Sequence, residues 1–446
     1  MEKSCFIRLS KNNRIKLCEI LTDPMIKSSI LLLVFLTGLA VAYLSSYLPF
    51  YLSLFTAERP KLGNTQSTHD TSVIVRVSQR IVPPNPEVSR EAVTAMNLAL
   101  DMEAQGKREK ALKLYQHAIN LDPLHVDILT AYGEFLENHE NDIKSADSMY
   151  SRALHVCPEH TKALVAKRRI QPLVDEIDQK NLNRIDKKLK LFISVPHNHP
   201  GLKRAKKESY FQHIYHSNAI EGNTLTLMQT RSIIETRIAV GGKSLHEQNE
   251  VLGLDDALRY VNSTLLGKVG NISIKDILEI HKRVLGYVDL TEAGRLRETQ
   301  VFIGDFTPPP PEEVSGLMAR FLEWLNSEEA LELHPIEYAA LAHYKLVYIH
   351  PFYDGNGRTS RLLMNLILMQ AGYPPVIIRV EDRQKYYDTL QLVNMGDMHP
   401  FIRFIAECTE RTLDTFLLAT SDLHSGLTIK IINTTKNVIS GGLGEE

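Results

Sequence analysis

The residue types best suited to chemistry lie in one run: His350-Pro351-Phe352-Tyr353-Asp354-Gly355-Asn356-Gly357-Arg358-Thr359-Ser360-Arg361-Leu362-Leu363-Met364-Asn365. His350 follows an apolar, helix-patterned stretch from His343 to Ile349. Pro351 disfavours helix in the residue before it, so the helix is expected to stop at His350. An imidazole there is a base near neutral pH. Gly355 and Gly357 permit a tight backbone with inward-pointing amides, and an amphipathic helix is expected to begin near Arg358. A glycine-rich loop that opens a helix favours phosphate through free amides and the helix dipole. That cradle covers Gly355, Asn356, Gly357, Arg358, Thr359, Ser360 and Arg361. Arg358 and Arg361 are three apart on one helix face. Cations near a helix start oppose its dipole, so an anion should compensate them. Asp354 supplies a hard carboxylate suited to Mg²⁺ shared with phosphate oxygens. Base, metal carboxylate, amide cradle and two arginines describe phosphoryl-type transfer. Each piece alone is weak, since Asp-Gly-Asn-Gly is usually a turn. Roughly nine fixed positions in one run are specific.

The run resembles the Fic-family signature H-P-F-x-D-G-N-G-R-x-x-R without departure. Ser217-Asn218-Ala219-Ile220-Glu221-Gly222-Asn223 resembles that family's inhibitory-helix motif, [S/T]-x-x-x-E-[G/N]. An isolated Glu221 would read as a surface carboxylate. The resemblance, which extends from Glu221 to about Arg411, is to the animal endoplasmic-reticulum Fic enzymes. It implies that Glu221 bonds Arg361 and blocks placement of the ATP γ-phosphate. It implies that His350 takes the proton of a Ser or Thr hydroxyl, while ATP binds with Mg²⁺ (or Mn²⁺) on Asp354. A water held by Glu221, with Ser217 in the same motif, would run the reverse reaction. The resemblance further implies a flap of Ile303, Gly304, Asp305 and Phe306 over the nucleotide. Adenine contacts would come from Tyr386, Tyr387 and Asn394; by themselves the tyrosines read as core packing. A homodimer contact at Leu245 and a lumenal Hsp70 chaperone as protein substrate complete the list.

The elements that must carry this site are helical. Helix-period patterns occur at Ile274–His281 and Val314–Leu325, whereas strand evidence is confined to Gln300–Gly304, read as an extended flap or short hairpin before the prolines at 308–311. Upstream, Ala111, Tyr115, Ala118 and Pro123 recur as Ala146, Tyr150, Ala153 and Pro158, at one offset of 35 (146 − 111, 158 − 123). Small residues at a helix crossing, an aromatic one turn later and a closing proline resemble a tetratricopeptide pair, with a generic pair of helical hairpins as the alternative. The charged stretch Leu164–Leu191 is a candidate capping and linking helix.

No charge occurs from Ser28 to Ala57, and Ile30–Leu48 is dense in apolar residues, close to the roughly 20 needed to span a bilayer. Tyr43, Tyr47 and Tyr51 suit an aromatic belt. A cleaved signal peptide is the rival, but Ala40-Val41-Ala42 sits inside the apolar run and the preceding region is long. Lys3, Arg8, Lys11, Arg14, Lys16 and Lys27 outweigh the acids before the span, which places the C-terminal part in the lumen. The sequons at Asn262, Asn271 and Asn433 become glycosylation candidates there. The chain ends Gly444-Glu445-Glu446 with no Lys-Asp-Glu-Leu-type tail, so residence would depend on the anchor.

Across 446 residues the formal charge is −2, which offers no global footprint for nucleic acid. Cys5, Cys18, Cys157 and Cys408 show no CxxC or zinc spacing. The expected fold class is therefore all-α with a small β flap. Its parts are a cytosolic tail (1–27), a transmembrane signal anchor (28–48), a linker (49–90), two tetratricopeptide-like repeats (91–163), a linker helix (164–200), a Fic domain with its inhibitory helix (201–415) and a tail (416–446). The expected protein is a single-pass type II endoplasmic-reticulum membrane enzyme that AMPylates, and also de-AMPylates, its substrate. The alternatives are a predominantly de-AMPylating enzyme and a repeat co-chaperone with a silent Fic domain.

Overall fold

The computed structural model describes residues 85–304 and 306–421. The expected anchor, the cytosolic tail, Asp305 and Asn433 lie outside the described residues. Among the described residues, no helix is long and apolar enough to cross a membrane.

The described residues begin with two helical hairpins, α1 (Pro86–Ala104) with α2 (Arg108–Leu121), and α3 (Val126–His139) with α4 (Ile143–Val156). Helix α1 thus begins inside the stretch read as linker, where Asn85 accepts from the Glu87 amide and Pro86 suits the first turn. The recurring residues explain the packing. Ala111, Tyr115 and Ala118, like Ala146, Tyr150 and Ala153, are completely buried. Each tyrosine donates its hydroxyl to a glutamate of the preceding helix: Tyr115 to Glu103 at 2.8 Å, Tyr150 to Glu137 at 2.9 Å. A buried phenol needs such a partner.

Helix α5 (Thr161–Ser194) is the longest of the described helices and carries Pro172 within it. Its charged face lies along the last of the described helices, α15 (His399–Thr420), through Arg403–Asp178, Arg184–Glu410 and Lys188–Asp414 pairs at 2.7 Å. Helix α15 runs past residue 415, into the expected tail.

The remaining helices are α6 (Pro200–Ile220), α7 (Leu227–Thr236), α8 (Leu245–Tyr260), α9 (Ile274–Leu285), α10 (Pro311–Leu325), α11 (Glu328–Glu332), α12 (Pro335–Ile349), α13 (Asn356–Gln370) and α14 (Arg383–Asn394). Capping boxes start three of them, Thr226 with Gln229, Ser244 with Glu247 and Ser273 with Asp276. At the centre stands α13, enclosed by α6, α8, α9 and α12. Both its apolar and its polar side are buried. Leu362, Leu363, Leu366 and Leu368 are buried, and so are Asn356, Arg358, Thr359, Ser360, Arg361 and Asn365 on its polar side. That side is buried because neighbouring helices bring partners to it. Asn365, for example, donates to the Val376 carbonyl at 3.0 Å. The expected β element reduces, among the described residues, to a single antiparallel bridge in which Ile303 and Phe306 exchange both hydrogen bonds at 2.9 Å.

Candidate active site

Helix α12 does end at Ile349, but His350 adopts the left-handed conformation (φ 48°, ψ 58°) rather than an extended one. Such backbone costs about 1–3 kcal/mol for a non-glycine residue and persists only where its surroundings hold it. Arg297 does so. Buried at 3 % exposure, its Nε donates to the His350 carbonyl at 2.7 Å and its amide to the Pro351 carbonyl at 2.9 Å. The same guanidinium donates to the carbonyls of Thr299 and Pro309, the two ends of the flap. The His350 ring sets Nδ1 at 3.2 Å from the Val347 carbonyl, so Nδ1 carries the proton and Nε2 is the acceptor. Burial pulls the imidazole pKa down to about 4 against the Val347 contact, and Arg297 adds to the shift. His350 is neutral at physiological pH.

The loop after it is stapled twice. Asn356 accepts from the Phe352 amide at 3.0 Å and returns a bond to the Phe352 carbonyl at 2.9 Å. His281 stacks on Phe352 with ring centres 3.7 Å apart. Its Nδ1 accepts from the Gly294 amide at 3.0 Å, so Nε2 donates to the Asp354 carbonyl at 2.9 Å. Gly355, at φ 75°, turns the chain into α13, whose start no side chain caps. Its first amides therefore face the loop.

The two arginines find carboxylates rather than solvent. Arg358 donates from Nη1 to Glu250 and from Nη2 to Asp354, both at 2.9 Å. Asp354 is half-exposed. Arg361 donates to the Ser217 hydroxyl at 2.9 Å, the Ser217 carbonyl at 2.8 Å and Glu221 Oε1 at 2.7 Å. Burial works against its charge, but Glu221 and Tyr386 beside it hold the proton above the ordinary range. Gly357 matters for room: a Cβ there would run into Glu221 Oε1. The Glu221 carboxylate thus lies against the first turn of α13.

Not every expected residue presents its side chain here. Thr359 and Ser360 are fully buried and offer the site only backbone. Tyr386, expected to touch adenine, is buried beside Arg361. It is 1 % exposed, bonds His343 Nε2 at 3.0 Å and packs on Phe401 and Phe404 behind Arg361. Tyr387 is partly exposed beside Arg383. Asn394 accepts from the Tyr344 hydroxyl at 2.9 Å. Phe306 leans on Tyr348, with Ile303 and Gly304 exposed. Leu245 is 70 % exposed. Of the sequons, Asn271 is exposed and Asn262 is buried in the π-helical turn Val261–Leu265. Glu250, His281 and Arg297 escaped the sequence reading, because a single Glu, His or Arg on a helix or loop carries no pattern.

A neutral imidazole above an uncapped helix start with two buried arginines defines a site of the phosphoryl-transfer class. Residues 271–368 match the Fic/DOC family. The chain is 54% identical over 356 residues to Protein adenylyltransferase Fic of Culex quinquefasciatus, covering 80% of this chain and 70% of that protein. It is 55% identical over 340 residues to Protein adenylyltransferase Fic of Aedes aegypti, covering 76% and 68%. In three dimensions it resembles Fic-1 (residues 134–508) from C. elegans, with a TM-score of 0.66 and 44% identity over 72% of this chain and 98% of that one. The chain belongs to the Fic/DOC family, and it is an enzyme that transfers AMP to protein, using ATP and a divalent metal.

Proposed function

We propose that the enzyme AMPylates Ser or Thr hydroxyls of a lumenal Hsp70 chaperone, is held back by Glu221, and removes AMP at the same site. The observation that carries this reading is the 2.7 Å contact of Glu221 with Arg361 over the first turn of α13.

The ATP phosphates lie on the amides of the Gly355–Arg361 segment, with Arg358 and Arg361 as counter-charges. His350 Nε2 accepts the proton of the target hydroxyl. The hydroxyl oxygen attacks the α-phosphorus and pyrophosphate leaves. Positioning and charge stabilisation supply the acceleration. Asp354, a half-exposed hard carboxylate beside the cradle, fits a divalent metal such as Mg²⁺, whose role when bound is to neutralise phosphate charge. While Glu221 holds Arg361, the γ-phosphate competes with a carboxylate for one guanidinium. In the reverse direction Glu221 orients a water toward the AMP ester. The same contact favours a second reading, in which removal of AMP dominates.

The surroundings follow the same proposal. The two helical hairpins are tetratricopeptide-type repeats that recruit the chaperone. Leu245 joins a homodimer, and an N-terminal anchor holds the enzyme in the endoplasmic-reticulum membrane with this part lumenal. Mass spectrometry of a lumenal Hsp70, incubated with enzyme and ATP and, separately, of pre-AMPylated chaperone incubated with enzyme, tests it. Gain of one AMP by the chaperone in the first run and its loss in the second support the reading; a chaperone left unchanged in both runs rules the substrate out.

A further inference from the structure

Helix α4 of the second hairpin meets the start of α15 at a cluster that the transfer site does not use. Asp147, on α4, is completely buried, and Asp397, in the turn ahead of α15, is 1 % exposed. His399 opens α15. Its Nδ1 lies 3.0 Å from Asp397 Oδ1 and 3.8 Å from Asp147 Oδ2. One ligand atom from each residue falls within 4.8 Å of the others. Atoms held at about 2.0–2.2 Å from one ion stand about 2.8–3.6 Å apart in octahedral or tetrahedral geometry. The 3.0 Å separation falls inside that range and the 3.8 Å separation lies just beyond it.

The neighbouring cations do not reach the second oxygen of either carboxylate, although Arg152 Nε is itself buried without a hydrogen-bond partner. Lys167 takes Asp147 Oδ1 together with the Ser151 hydroxyl. Arg152 donates to the Pro123 carbonyl at 2.7 Å and to Met149 Sδ. Arg403 spends both its bonds on Asp178. Asp147 Oδ2 and Asp397 Oδ2 remain, both buried and both without a hydrogen-bond partner. Buried carboxylate oxygens in that condition are rare and destabilising. The turn is also pressed firmly onto α4. Gly396, at φ 94°, has no room for a Cβ because His155 fills the space.

We propose that Asp147, Asp397 and His399 form a site for a divalent first-row transition cation, of which Zn²⁺ is the type. The imidazole selects this class over Mg²⁺ and Ca²⁺, which favour oxygen-only shells. Two carboxylates neutralise the ion, and the solvent-facing edge of His399, 20 % exposed, leaves an entry path and a position for water. Bound there, the ion joins the second hairpin to the helix that closes the catalytic bundle. It binds the folded arrangement alone, so it also stabilises it.

Cobalt(II) is the probe, because its visible ligand-field band reports ligation by nitrogen and oxygen directly. The full chain carrying Asp354→Asn, stripped of metal and free of nucleotide, removes the transfer-site carboxylate from the measurement. One equivalent of Co²⁺ should bind with a visible band, Zn²⁺ should displace it, and Asp397→Asn or His399→Gln should each weaken it at least about tenfold. The Zn²⁺-dependent rise in melting temperature should vanish in the same variants. Binding unchanged by these substitutions overturns the site, as does a parent that takes up no Co²⁺. Should the variants unfold, X-ray absorption on the Zn²⁺-loaded parent decides. A shell of one imidazole nitrogen with oxygens supports the assignment, and a sulfur-containing or all-oxygen shell refutes it.

Discussion

Glu221 and Arg361 join α6 to α13 through a 2.7 Å ion pair, and Ser217, one turn before Glu221, holds the same guanidinium by its hydroxyl and its carbonyl. Loss of the carboxylate would leave Arg361 anchored by Ser217 while freeing the side that faces the α13 start.

Glu221→Gly should therefore raise AMP transfer and lower AMP removal. A charge-assisted hydrogen bond is worth about 1.5–3 kcal/mol, so transfer should rise at least about tenfold. Both activities would be followed on one protein with labelled AMP. Transfer that stays flat in a folded variant would dismiss Glu221 as the brake.

His350→Ala should reduce transfer by about 10²–10⁴ while ATP binding survives. With its pKa near 4, His350 stays neutral well below the usual histidine range. The acid limb of kcat/KM should accordingly reflect a midpoint near that value; a limb near 6.5 would point to a different base. His213 and His281 are held near 4 and His343 near 3, chiefly by burial. Their unfolded forms bind protons first, so stability should fall as pH drops from about 6.5 toward 4. A melting temperature constant over that window would contradict the buried neutral state.

Arg297→Met should destabilise the His350 turn and the flap together, because it removes one cation from the carbonyls of His350, Thr299 and Pro309. The expected loss is on the order of 2–3 kcal/mol, with a lower kcat. Denaturant unfolding and kinetics on the same variant would check it, and unchanged values would free His350 from this support.

Leu245→Asp should shift the protein to monomer without unfolding it, since the side chain is 70 % exposed in the single chain and an unpaired charge at a contact is costly. Sedimentation showing an intact dimer would remove Leu245 from the interface.

Asn271, exposed, should carry glycan in cells. Endoglycosidase treatment of wild type and Asn271→Gln would read this; identical mobility before and after treatment would argue against a lumenal location.

The chemistry of this protein was written locally. Pro351 ends α12, Gly355 turns the chain into α13, and the spacing of Arg358 and Arg361 follows from helix geometry, so a run of adjacent residues announces a transfer site. The paired tyrosines at 115 and 150 were legible for the same reason, since each reports a helix packed on its sequence neighbour. What compensates the arginines was only partly legible. Glu221 stood out through its motif, but Glu250 is 108 residues from Arg358, and nothing in its own surroundings marks it. His281 and Arg297 act on the backbone of a loop that chain folding brings to them. The burial of the polar side of α13 was not legible, because periodicity assigns polar residues to solvent. Here the enclosing helices supply Glu250, Ser217 and Glu221, so the polar face is buried and paired. Tyr386 likewise reads the same as a nucleotide contact or a core residue until α12 and α15 close around it. Local steric rules set the loop and the helix ends. Only long-range packing decides which charges meet, which polar groups are buried and which conformation His350 must hold.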